Sequence, residues 1–368
     1  PPPPPPFFFQ EEDVIRYLVR SRGLGDVYKR QSQVLSEALS IPNKINHFIM
    51  NDKNNYQEIS SLISEKKIDY VVTVARGTSD CAALYLSYMF AKYLGLPTYS
   101  MPPSIITLEE SKFDFSRALV FIISQSGKSE DLVECHKMVQ KMGAKTILIS
   151  NNLSSPIIKT SNYFFDINAG EEKSVAATKT FVLSLLIILK LVFNTLNKKD
   201  INKQIEKLSD HLILDNQNQW SPNILDKTIS NGYIISRGVG YAISNEISLK
   251  FKELCQEMIE PFSSAEVMHG PKSLIENSFK LFTISLRDKS GMIVAKDSSQ
   301  IISLTNLHYE ITYDENSNTK LRYDTSEIIE LDPIIVLSKF YPWIVNYSFE
   351  KGLDPDNPRY LTKVTQTF

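Results

Sequence analysis

The chain has 368 residues, enough for two domains with cores of their own, since single domains usually run ~100–200 residues. Its 40 basic and 42 acidic residues nearly cancel to a formal net charge of −2, which gives no electrostatic reason to expect a nucleic-acid or anionic-membrane partner. Three widely spaced cysteines, Cys81, Cys135 and Cys255, form no metal or redox motif, so a reducing, cytoplasmic setting is expected.

Residues 1–31 open on a proline run (PPPPPPFFFQ) and carry neither core-forming periodicity nor a charged-then-apolar leader pattern. They are set aside as a non-native-looking or disordered tail. Helical spacing starts at Val34 and runs to Ile63, so residues 32–57 read as a helical lead-in to a first domain over 58–212. Within that domain, Val71–Val74 and Leu119–Ile123 are short apolar runs suited to strands buried on both faces. Asp131–Met142 has helical spacing, and Thr146–Ser150 and Tyr163–Ile167 read as further strands. The longest apolar stretch, Phe181–Phe193, contains Lys190 and falls short of the ~20 residues a bilayer span needs, which makes it a buried core helix.

The pattern then recurs. Tyr233–Glu253 repeats the layout of Tyr70–Lys92: an apolar run, Arg-Gly with small residues, then an amphipathic helix. Arg76 and Arg237 lie 161 residues apart, and so do Ser124 and Ser285, which end the runs VFIIS and LFTIS. Two matches at one offset point to a duplication. The expected fold class is α/β, with two tandem domains, each a doubly wound parallel sheet flanked by helices. The second domain spans 213–345, and a C-terminal active-site tail spans 346–368. Ligands on such sheets bind at the carboxyl ends of the strands.

Ser124-Gln125-Ser126-Gly127-Lys128-Ser129-Glu130 follows a strand and opens a helix. Backbone N–H groups, the helix dipole and three hydroxyls there suit a phosphate. Ser-rich turns also serve as plain helix caps, and Ser79, Ser174 and Thr178 admit that reading too. In the second copy the loop becomes Ser285-Leu286-Arg287-Asp288-Lys289-Ser290 and loses its glycine and the Ser126 hydroxyl, so only the first copy is expected to hold phosphate.

Glu246, Lys250 and Glu253 are spaced i, i+4, i+7 and share one helix face. That spacing also fits a solvated, salt-bridged face, but Ile247, Leu249, Phe251 and Leu254 give the helix a buried character. His269 lies in a Met-His-Gly-Pro turn and Lys363 in a polar tail; composition alone makes both ordinary surface groups. No GxGxxG fingerprint and no His/Cys/carboxylate cluster at ligand spacing is present, so neither a dinucleotide nor a metal cofactor is expected.

Six segments in order carry a resemblance: ARGTSD at Ala75–Asp80, ISQSGKSEDL at Ile123–Leu132, EEKSVAATKTF at Glu171–Phe181, EISLKFKELC at Glu246–Cys255, SSAEVMHGP at Ser263–Pro271 and DPDNPRYLTKVTQT at Asp354–Thr367. Together the chain resembles the sugar isomerase (SIS) domain family. Within it, the likeness is to SIS-type glucosamine-6-phosphate deaminases and to the isomerase half of glutamine–fructose-6-phosphate transaminase. The resemblance implies that Ser124, Gln125, Ser126 and Ser129 hold a sugar phosphate, with Thr78 and Ser79 nearby and the backbone around Val175 and Ala177 lining the sugar. It implies that Glu253 shuttles a proton, that Lys250 supports it, and that Lys363 forms an imine with the open-chain sugar. It also implies a homodimer, in which His269 opens the ring from the neighbouring subunit. Glu246 matches a family position without a clear role, and His47, His136, His211 and His308 match nothing.

The leading expectation is hydrolytic deamination of glucosamine 6-phosphate to fructose 6-phosphate and ammonia, because the KVTQT ending is closer to the deaminase branch. Met258 stands where the transaminase usually has His. The alternative is the isomerase half of the transaminase, cut short: no cysteine precedes Cys81 to act as a glutaminase nucleophile. A non-catalytic sugar-phosphate sensor comes third, since Glu253, His269 and Lys363 are all retained and no basic recognition helix is evident. No residue selects a hexosamine epimer.

Overall fold

The computed structural model describes residues 32–109, 111–215, 219–315, 317 and 321–363. Three helices lead in: α1 (Gln33–Leu39), α2 (Ile41–Asn51) and α3 (Tyr56–Ser64). The Ser32 hydroxyl accepts from Leu35 N and so caps α1. Asp356, far along the chain, accepts from Gln33 N at 2.9 Å and Val34 N at 2.8 Å. This second cap pins the C-terminal segment against the start of α1, an anion at a helix N-terminus being favourable.

The first sheet is built from β1 (Tyr70–Val74), β2 (Thr98–Ser100), β3 (Ala118–Ile123), β4 (Lys145–Ser150) and β5 (Tyr163–Asp166). Between them run α4 (Thr78–Leu94), α5 (Pro103–Thr107) and α6 (Glu130–Lys141), and after them α7 (Lys179–Thr195) and α8 (Lys199–Asp215). Its strands are all parallel, in the order β2-β1-β3-β4-β5. The second sheet takes β6 (Asn231–Ser236), β7 (Met258–Ser263), β8 (Lys280–Ser285), β9 (Leu307–Thr312) and β10 (Leu321–Arg322), with α9 (Val239–Cys255) and α10 (Lys289–Ile302) between strands. It too is parallel throughout, and its order β7-β6-β8-β9-β10 repeats that of the first. The closing helix α11 (Asp332–Glu350) runs through the expected boundary at 345/346.

The burial pattern explains the sequence pattern. β3 and β8 are buried at every position, as parallel strands covered on both faces must be; β3 reads as an unbroken apolar run, while β8 is apolar apart from Lys280, Thr283 and Ser285. α7 is buried along most of its length, and Lys190, near its end, pairs with Asp52 of the α2–α3 connection. Among the described residues no helix is long and apolar enough to cross a membrane. α4 packs against α9, and one continuous apolar core takes in residues from both halves, from Val34 to Tyr347. The first turn of α4 and the last turn of α9 are thereby brought together.

Candidate functional site

The loops that follow β1 and β3 open onto a cavity of about 370 Å³. Arg76–Ser79 line it from the first loop, and Ser124, Gln125, Ser126 and Ser129 from the second. Val175 and Ala177 enter from the segment before α7, Glu253 from α9, and Leu361–Lys363 from the tail.

The second loop is held from behind. Ser150 Oγ and Asn151 N donate to the Gln125 carbonyl, Asn152 Nδ2 donates to that of Ser126 at 2.7 Å, and Ser155 Oγ to that of Gly127 at 2.7 Å. The carbonyls that would repel an anion are thus engaged away from the cavity. Ser124 Oγ accepts from Gly127 N at 3.0 Å and Ser126 Oγ from Lys128 N at 3.3 Å. Each hydroxyl keeps its own hydrogen for a ligand. Ser129 occupies the N-cap position of α6, yet its side chain makes no capping bond, so its hydroxyl is not used as a plain cap. Gly127 has φ +59°, and a Cβ there would lie 2.3 Å from Ser155 Oγ, so the turn needs glycine on both counts. Arg76 ties the two loops together through Nε and Nη2, both 3.1 Å from Asp131 Oδ2.

The wall of the cavity that carries Val175 and Ala177 is set by two buried carboxylates. Glu37 accepts from Lys173 N at 2.7 Å and Ser174 N at 3.3 Å. Glu172 accepts from Thr178 N at 3.1 Å, Thr180 N at 3.2 Å and Thr180 Oγ1 at 2.6 Å. Glu172 therefore caps α7, while the hydroxyls of Ser174 and Thr178, the sequence candidates for that task, are buried without hydrogen-bond partners. Lys363 Nζ reaches Glu172 Oε2 at 3.4 Å, which brings the tail over the cavity.

A cluster of ionisable groups sits beneath. Lys250 Nζ is 2.7 Å from Glu253 Oε2, 3.2 Å from Glu246 Oε1 and 2.9 Å from Thr78 Oγ1. Its three donors are all engaged. Lys250 and Glu246 are fully buried, whereas Glu253 keeps partial access to the cavity. Tyr341 of α11 donates to Glu246 Oε1 at 2.9 Å. Burial pushes the Glu246 carboxyl up to about 7; Lys250 opposes the rise and the neighbouring Glu253 charge adds to it. Lys250 is raised, because its two carboxylates outweigh the desolvation that would lower it. Two carboxylates around one ammonium in a dry site would leave a net negative charge, and a proton on Glu246 removes it.

The structure gathers Thr78, Ser79, Ser124, Gln125, Ser126, Ser129, Val175, Ala177, Glu253 and Lys363 around one cavity, with Lys250 directly behind Glu253. His269 is elsewhere: it is exposed, at the end of a short 3₁₀ turn, and does not line the cavity. Val364–Thr367 of the tail motif lie outside the described residues. Glu172 and Tyr341 were not singled out by the sequence reading. A glutamate six residues before Thr178 was a usable signal for a capping carboxylate, but nothing marks one tyrosine of an apolar helix as a partner of Glu246. His136 is buried beside Thr146 and pushed down to about 4 by burial, a neutral core histidine. Among the described residues no group of three or more His, Cys, Asp or Glu could hold a metal ion.

Residues 61–193 match the family model of the SIS domain. The chain is 30% identical over 343 residues to the isomerizing glutamine–fructose-6-phosphate aminotransferase of Sulfurisphaera tokodaii, covering 90% of this chain and 56% of that protein. It is 26% identical to the same-named protein of Thermotoga maritima, covering 90% and 57%. The chain thus spans about half the length of the curated relatives it matches. A solved structure from Silicibacter pomeroyi described as a "putative phosphosugar isomerase" superposes with a TM-score of 0.77 at 30% identity, over 88% of this chain and all (100%) of that one. The C-terminal domain of glucosamine-fructose-6-phosphate aminotransferase from Francisella tularensis shares the fold, with a TM-score of 0.76 at 22% identity, over 89% and 98%.

Proposed function

Because the chain belongs to the SIS domain family, we propose that it binds a phosphorylated hexose in the Ser124–Ser129 loop and moves a proton between the sugar's first and second carbons, as the isomerase part of a glutamine–fructose-6-phosphate aminotransferase. Residues 58–212 would supply the phosphate site and residues 213–345 the acid/base groups, with 346–368 closing over the sugar. The observation that carries this reading is the single cavity in which the hydroxyl-rich turn faces a carboxylate held by a buried lysine.

The phosphate docks on the hydroxyls of Ser124, Ser126 and Ser129 and the side chain of Gln125, and this anchors the far end of the sugar chain near Glu253. The Glu253 carboxylate takes a proton from carbon 1 of the open-chain fructose imine, leaving an enolamine. Returning that proton to carbon 2 gives the 2-amino aldose. Lys250 fixes the carboxylate's position through the 2.7 Å contact, and Thr78 ties that lysine to the first loop. Lys363 would condense with the ketose carbonyl, releasing water, and ammonia would then displace the lysine to give the fructose imine on which Glu253 acts. His269 opens the ring only if a second copy of the chain brings it to the cavity.

The curated relatives' shared name supports the aminotransferase reading over hydrolytic deamination. Both use the same groups, and deamination runs the steps in reverse, with water adding to the imine and ammonia leaving. The chain is therefore incubated separately with glucosamine 6-phosphate and with fructose 6-phosphate plus ammonium. Conversion of fructose 6-phosphate to an aldose phosphate, with no sustained ammonia release from glucosamine 6-phosphate, favours the aminotransferase part; steady ammonia release from glucosamine 6-phosphate favours the deaminase. Binding of both sugars with no turnover of either would overturn the enzyme reading in favour of a sensor.

A further inference from the structure

A larger cavity, about 690 Å³, lies on the second sheet at the carboxyl ends of β6 and β8. The 161-residue offset carries the first site onto it: Gly77 and Thr78 become Gly238 and Val239, and Ser126–Ser129 become Arg287–Ser290. The same offset carries Glu253 onto Lys92, which lines this second cavity from the last turn of α4 as Glu253 lines the first from the last turn of α9. Each helix of the packed pair begins at one cavity and ends at the other.

The chemistry has been exchanged, and the phosphate turn is closed. A Cβ on Gly77 would meet nothing within 4 Å, but on Gly238 it would lie 2.5 Å from Ser290 Oγ. Arg287 is held by Asp332, at 2.8 Å from Nε, and by the Ser326 carbonyl. Asp288 receives Gly291 N at 2.8 Å, and Glu330, on the helical turn before α11, receives the Tyr93 hydroxyl. What remains open is an apolar wall with Tyr88, Val239, Met292 and Ile329, flanked by the ammonium groups of Lys92 and Lys289. Both lysines are exposed, and neither has an ion-pair partner among the described residues; Lys92 Nζ lies 4.7 Å from the Tyr93 ring centroid.

We propose that this cavity is a second ligand site, which takes an anion carrying a flat apolar body and not a hexose phosphate. The volume suits a ligand of a few hundred daltons, since small-molecule pockets run ~300–1,000 Å³. The wall buries the apolar body, and Lys92 and Lys289 orient the anionic group, as the serines of the first loop do for a phosphate. This assignment does not depend on which reaction the first site performs.

The probe is anilinonaphthalene sulfonate, an aromatic anion whose fluorescence rises on transfer to an apolar site, titrated into the full chain. One saturable site per chain is expected, unaffected by excess fructose 6-phosphate and unchanged in Ser126→Ala. The double variant Lys92→Glu/Lys289→Glu should weaken the probe about tenfold or more. Lys92→Gln/Lys289→Gln should give a smaller loss in the same direction and replaces it should charge reversal disturb folding. Probe affinity unchanged in both double variants, or displacement of the probe by fructose 6-phosphate, overturns the assignment.

Discussion

Replacing Glu246 with glutamine should remove one specific slope from the pH dependence of stability. The carboxyl is fully buried, and burial raises it from 4.5 to about 7. Between those values the folded chain holds the proton while the unfolded chain has released it, so stability falls as pH rises through this window. The shift from 4.5 to about 7 corresponds to on the order of 3 kcal/mol, present below about pH 4.5 and lost above about pH 7. Glutamine keeps an acceptor for the Tyr341 hydroxyl and for Lys250 but cannot ionise. Urea unfolding of both proteins at pH 5 and pH 8 gives the difference directly, and other titrating groups, such as Asp215 and Asp332, cancel in it. Wild type should lose ground to Glu246→Gln by roughly 2–3 kcal/mol on going from pH 5 to pH 8. A stability difference that is the same at both pH values would refute the picture of a protonated Glu246 beside the Lys250–Glu253 pair.

Lys250→Met removes the partner of the fully buried Glu246 and the partly buried Glu253, and breaking such a buried pair typically costs about 3–5 kcal/mol; thermal melting should show the loss, and adding Glu246→Gln should recover part of it. Gly127→Ala forces a side chain onto a residue with φ +59° and against Ser155, so calorimetric binding of fructose 6-phosphate should weaken more than in Gly77→Ala, where φ is +54° but space is open. The left-handed backbone alone costs roughly 1–2 kcal/mol in either variant. Lys363→Ala removes a partly exposed contact of 3.4 Å and should lower stability by about 1 kcal/mol or less. It should nevertheless abolish the covalent sugar adduct that borohydride traps with fructose 6-phosphate, as read by mass spectrometry.

The elements legible in the sequence were those that physical periodicity writes plainly. Strands buried on both faces read as apolar runs at β1, β3 and β8, and the 161-residue offset anticipated two sheets of one strand order. The hydroxyl-rich turn that lines the first cavity was legible because its side chains are close in sequence: Ser124, Ser126 and Ser129 lie within six residues. The i, i+4, i+7 spacing of Glu246, Lys250 and Glu253 gave their shared face, but not that Lys250 would be sealed between the two carboxylates. What stayed hidden depends on chain segments that meet only in three dimensions. Tyr341 reaches Glu246 across 95 positions, and Lys363 reaches Glu172 across 191. The second cavity was hidden for a related reason: losing a glycine and the Ser126 hydroxyl marks a loop as unsuited to phosphate, while the apolar wall draws on α4, α9, α10 and the turn at Ile329 together.

The most direct test of the central assignment follows deuterium from solvent into carbon 1 of fructose 6-phosphate by proton NMR, comparing the wild-type chain with Glu253→Gln. The expected result is exchange by the wild type and a loss of about a hundred- to ten-thousandfold in the variant, with fructose 6-phosphate binding retained through the Ser124–Ser129 turn. Exchange at the wild-type rate in Glu253→Gln would contradict the assignment of that carboxylate as the group that moves the proton.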